Sequence, residues 1–199
     1  MRRIIYLISL LFVLNACKSK MQPMADRYII EDLAEIASVE KLNEIYPDAR
    51  IEAGTGMFEE GTIERSYNIL YPDSNDEVLL TWKDRDRTRL HHIRIGKEGR
   101  WKSEAGIHIG TTYEELIRLN EGPIEVYGFG WDYGGAVDWN DGKLAQSNIR
   151  IFLAPTVEPP NRFYGDQIIN ASEEEIKELG LKVSAIIYRK PNNFMSFSY

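Results

Sequence analysis

The stretch GFGWDYGG at 128–135 concentrates side chains with chemical uses: Phe129, Trp131 and Tyr133 alternate with glycines and Asp132. Rings of this kind stack on sugars or fill pockets in a protein partner, and Tyr and Trp keep a polar handle that suits interfaces. Phe129, Trp131, Asp132 and Tyr133 are therefore candidate contact residues. A second reading takes Asp132 or Asp138 as acid or nucleophile of a glycan hydrolase, with Trp131 stacking a sugar; that chemistry needs two carboxyls about 5 to 9 Å apart. Basic residues outnumber acidic ones over 83–102, although the whole chain carries a net charge of -7. Arg87, Arg89 and His91 are expected on one strand face and, with Arg94, make a secondary surface for an anionic glycan, lipid headgroup or acidic partner.

Other chemistries find no motif. His91 and His92 are adjacent, so on a regular strand they point to opposite faces, and His108 stands alone. HExxH, a spaced Cys/His set and G-x-S-x-G are all missing, and no metal or cofactor site is read. The segments DSNDE at 73–77 and DWNDG at 138–142 resemble the start of a calcium loop, but the first lacks its glycine and the second has it one place early. Turn chemistry explains both. The acidic balance argues against a nucleic-acid partner.

The elements that must position these residues read as an α+β domain: short helices packed on an antiparallel sheet. Segments 33–56 and 107–130 look alike, which suggests two tandem helix-plus-hairpin repeats over about 28–104 and 105–157, followed by a C-terminal helix and strand at 158–199. In each copy a hydroxyl residue, Ser38 or Thr112, is placed to cap a short helix, and Thr112 with Glu115 fits a capping box. A proline follows, Pro47 or Pro123, and then an extended G-x-G segment. Strands are expected at 66–71, 77–82, 90–95, 149–153 and 182–189, and a helix at 173–179 capped by Ser172 and stopped by Gly180. Because the glycines recur in both copies and the rings do not, the glycines read as scaffold. Were 127–133 extended, Tyr127, Phe129, Trp131 and Tyr133 would form one stripe, as core or as an exposed platform.

The first residues set a compartment. MRRIIYLISLLFVLNAC has a charged start and an apolar run too short for a comfortable membrane span, the pattern of a secretory signal over 1–17. Leu14-Asn15-Ala16-Cys17 resembles the lipobox of bacterial lipoproteins, which implies acylation of Cys17, the only cysteine of the chain. Acyl chains, each CH2 adding about 0.8 kcal/mol, would hold the protein on a membrane through Cys17. A polar tether at 18–27 leads into the domain at 28–199. Lys18 and Ser19 after the cysteine supply no retention aspartate, so the resemblance favours the outer membrane with the domain facing the periplasm.

The block GIHIGTTYEELIRLNEGPIEVYGFGWDYGG at 106–135 is similar to one in a group of uncharacterised bacterial envelope lipoproteins that carries no known activity. More distantly, Gly110, Thr112, Glu115, Leu116 and Pro123 resemble the signature of small lipoproteins that assist outer-membrane β-barrel assembly and of tandem-repeat β-lactamase-inhibitor-like proteins. That resemblance implies short helices on antiparallel strands and a role in binding an envelope protein or glycan rather than in catalysis. It departs at Glu121, where the signature has glycine, and no contact residue carries over.

Overall fold

The computed structural model describes residues 27–36 and 38–190. The leader, Cys17 and, apart from Arg27, the tether lie outside the described residues, as does the tail after 190.

The chain runs α1 (Ile30–Ala34), α2 (Val39–Ile45), β1 (Ile51–Phe58), β2 (Ile63–Leu70), β3 (Val78–Trp82) and β4 (Leu90–Ile95). There follow α3 (Tyr113–Asn120), β5 (Glu125–Val126), β6 (Val137–Asp138), β7 (Ile149–Ala154), a 3-10 turn at Asn161–Phe163, α4 (Glu173–Leu179) and β8 (Lys182–Tyr188). Six strands form one antiparallel sheet in the order β1-β2-β3-β4-β8-β7, and β5 pairs with β6 separately. The α+β class expected from the sequence is what forms.

Helix starts obey local chemistry. Ser38 Oγ accepts from Lys41 N, while Thr112 and Ser172 each close a reciprocal capping box with Glu115 and Glu175. Gly180, at φ 56, ends α4 in the left-handed cap. α1 carries no such signal: Ile29 precedes it with no side-chain cap, and it forms because Ile30 and Leu33 are fully buried against β4 and β8.

Period-two alternation divides the sheet. Leu70, Val78, Leu80, Ile93, Ile95 and Ile186 face inward and share one core with Leu42, Leu116 and Leu179 of the helices. Each such side chain contributes about 1.5–3 kcal/mol on burial. The opposite face keeps Tyr67, Ile69, Leu79, Ile187 and Phe152 half-buried.

The two units resembling one another in sequence differ in placement. Both run helix then antiparallel hairpin, but β1–β2 belongs to the large sheet, whereas β5–β6 pairs over two residues on each side. Within the second unit sits Asn120, fully buried, whose Nδ2 donates to Gly122 O, Pro123 O and Trp139 O while its Oδ1 accepts from Leu144 N. The DWNDG segment at 138–142 thus leads from β6 into a loop tied to the end of α3, in keeping with its turn reading.

Candidate functional site

The ring-bearing loop is built by backbone contact. Gly128 N donates to Gln167 O and Phe129 N to Phe163 O, both at 2.7–2.8 Å, so two chain segments lie almost in contact. A Cβ at Gly128 would stand 2.6 Å from Gly165 O and 2.8 Å from Phe163 O. Gly135 takes φ 76 and accepts Leu153 N; a Cβ there would meet Leu153 O at 2.0 Å. In the first unit the counterpart of Gly128, Gly54, lies beneath the Tyr67 ring, and that of Gly135, Gly61, takes φ 79 in open space. The glycines are scaffold in both units, for different reasons.

The expected stripe of rings does not form. The chain leaves its extended path after Phe129 and turns over 130–135, because Gly130 and Gly135 adopt positive φ. Phe129 consequently points into the core at 7% exposure, while Tyr133 stands outside at 49%. Trp131 is half-buried between Tyr127 and Tyr133, with ring centroids at 6.2 and 5.4 Å, and its Nε1 donates to Gly128 O at 2.8 Å. Asp132 is exposed in the turn. Asp138 Oδ1 accepts Asn140 N, a turn-building bond.

The basic segment is also rearranged. Arg87 is not on a strand face: it takes φ 57 in the β3–β4 turn and donates to Gly54 O on β1 at 3.3 Å. Arg87 also borders a hollow of about 260 Å³ with Val39, Glu40 and Asp86. Arg89 bonds Asp84 across the same turn at 2.6 Å. Both arginines shape the hairpin, and Arg94 alone of the expected set lies exposed on the strand.

His91 and His92 do not diverge as a regular strand would demand. A bulge opposite Thr81 and Trp82 leaves His91 as the extra residue, so the two rings meet with their Nδ1 atoms 2.8 Å apart. Burial, followed by Arg65, lowers the His91 pKa to about 4. Burial, followed by His91 and Arg189, lowers that of His92 to about 3. Both rings are neutral at pH 7.

Two arginines unmarked by the sequence reading join Arg94. Arg94 on β4 and Arg150 on β7 both register against Ile187 of β8, and Arg189 follows two residues later on the same face. Tyr133 lies close enough to Arg189 to interact with it electrostatically, so the ring loop borders the basic face. The outward positions of Arg150, between buried Ile149 and Ile151, and Arg189, after buried Tyr188, were readable from alternation. Their meeting depends on strand order, which alternation does not encode.

A second hollow, of about 360 Å³ and lined by Tyr113, Val126, Ile168 and Ile176 among others, opens between α3, α4 and β5. Among the described residues no helix is long and apolar enough to cross a membrane.

No family model matches the chain, and no curated protein sequence matches it. Among solved structures it is similar to the crystal structure of the uncharacterized protein yfeY from Escherichia coli, at 16% identity and a TM-score of 0.46 over 74% of this chain and 88% of that one.

Proposed function

We propose that this chain is a non-enzymatic bacterial lipoprotein, anchored in the outer membrane through acylated Cys17, whose domain faces the periplasm and binds another envelope component, protein or glycan. The leader and the Leu14-Asn15-Ala16-Cys17 sequence support the anchor. One observation supports the binding role: Trp131 and Tyr133 are held at the surface by a loop whose neighbouring ring, Phe129, is fixed in the core. Such rings present contact area with little mobility left to lose on binding. Asp132 in the same turn adds a carboxylate acceptor, and Arg94 contributes a charge on the adjoining face.

The test uses the full chain in detergent, comparing wild type with Trp131→Ala and Tyr133→Ala for thermal stability and for capture of components from a solubilised envelope extract. Stability within about 1.5 kcal/mol of wild type together with loss of a captured component is expected. A loss of about 3–5 kcal/mol on removing Trp131, as for a core aromatic, would make the loop scaffold and overturn the reading. Palmitate labelling no stronger in wild type than in Cys17→Ser would remove the anchor.

A further inference from the structure

The arginines of this protein are not distributed evenly between paired and unpaired states. Among the described residues, eight arginines hold a carboxylate within ion-pair distance. Arg87 donates to a backbone carbonyl instead. Arg94, Arg150 and Arg189 have no carboxylate within that distance among the described residues; all three lie exposed, Arg94 and Arg150 on the strands flanking β8 and Arg189 just past its end. In a chain with 31 acidic and 24 basic residues, chance pairing works against such a gathering.

Strand geometry fixes their spacing. Arg94 and Arg150 stand on the strands flanking β8, so their backbones are about 10 Å apart, and Arg189 is about 7 Å along β8 from the residue between them. Long, flexible guanidinium side chains span those gaps to a group a few ångströms across. Around Arg189 and the histidine pair lie Arg65 and Glu59 of the β1–β2 hairpin, Lys83 just after β3 and Tyr133 of the ring loop, and β6 runs beside β7 with Asp138 level with Arg150. Of the two acids, Glu59 is already engaged by Arg65 at 2.9 Å and approached by His91 at 3.4 Å, while Asp138 accepts Asn140 N within its own turn. Neither acid is within ion-pair distance of Arg94, Arg150 or Arg189, so the three charges have no direct partner among the described residues. The same crowding acts on its members: partial burial, then Arg150, lowers the Arg189 pKa.

We propose that Arg94, Arg150 and Arg189 form a binding site for a phosphomonoester dianion carried by a soluble molecule, with Tyr133 at its rim. Three guanidiniums exceed what one carboxylate or one diester monoanion neutralises, and a tetrahedral phosphoryl group offers several oxygens to forked donors at once. The half-buried Ile187 between Arg94 and Arg150 provides a floor without competing acceptors. The site stands whether or not the ring loop docks a partner.

The experiment titrates the full chain in detergent with inorganic phosphate and with glucose 6-phosphate by calorimetry, alongside flotation with phosphatidylglycerol vesicles. Both soluble probes are expected to bind, with affinity falling about tenfold in Arg94→Gln or Arg150→Gln. Arg118→Gln, on α3, should leave affinity unchanged, and Arg150→Lys should retain part of it. Should a variant fail to fold, wild-type protein still decides: phosphate should shield Arg94, Arg150 and Arg189, but not Arg118, from phenylglyoxal. Absent binding, binding indifferent to these substitutions, or no selective shielding overturns the site. Binding to vesicles without binding of either soluble probe also overturns it, in favour of a lipid surface.

Discussion

Arg94 and Arg150 stand on either side of one residue: each is in register with Ile187, the first from β4 and the second from β7. Like charges so placed repel across the sheet, and among the described residues neither holds a carboxylate within ion-pair distance. Arg150→Gln should therefore raise the unfolding free energy by about 0.5 kcal/mol at low salt, and the gain should shrink as ionic strength rises. Denaturant unfolding at two salt concentrations measures this. A loss of stability at low salt would mean that Arg150 has a structural partner. A gain, coupled with weaker phosphate binding, is the usual exchange of stability for function.

Asn120 links α3, the turn after it and the 139–144 loop through four side-chain hydrogen bonds. Asn120→Ala leaves Trp139 O and Leu144 N buried without that partner, at a cost of about 3 kcal/mol. For a domain of this size that corresponds to a melting temperature lower by about 10 °C. Thermal unfolding checks it, and a change of only 1 or 2 °C would show that water or backbone movement takes over the bonds.

His91 and His92 give the protein a pH dependence of known sign. Their folded pKa values, about 4 and about 3, lie below the ordinary histidine value of 6.5. Between those limits the unfolded chain binds protons that the folded chain refuses, so stability is full above about pH 6.5 and falls on acidification. Each histidine contributes a slope of up to about 1.4 kcal/mol per pH unit until its folded pKa is reached. Asp76 and Glu77, with pKa values lowered in the fold, add their losses in a more acidic range, below ordinary carboxylate values. Urea unfolding between pH 7 and 5 should show the decline in wild type and a flatter line in the double variant His91→Asn, His92→Asn. A flat wild-type profile would contradict the buried neutral pair.

Much of the local structure was legible in the residues themselves. Ser38, Thr112 and Ser172 marked helix starts, Gly180 marked a stop, and alternation marked five of the six strands of the large sheet. These features depend on neighbours a few positions away. Glu121, where the signature's glycine is missing, shows the limit: it takes φ 53 at the end of α3, doing in a strained side-chain-bearing residue what glycine would do freely.

The candidate site was legible only in pieces. Alternation assumed that 127–133 continues as a strand, whereas the close approach of 163–167 and β7 turns it after Phe129. It likewise assumed a regular β4, and the bulge at His91 could not be seen without the partner strand. Arg150 and Arg189 were outward-facing positions among many until β8 came to lie between β4 and β7.

That placement also makes β8 decisive for order of assembly. The meander β1–β4 can form while only the first half of the protein exists, but β7 has no place in the large sheet until β8 arrives to join it to β4. Bringing such distant segments together is the slow part of folding an antiparallel sheet. β8, the last strand among the described residues, therefore closes the sheet, supplies Ile187 and carries the backbone on to Arg189. A chain terminated before Lys182 would lose sheet closure and the basic face together, so possession of that face certifies that translation ran past β8.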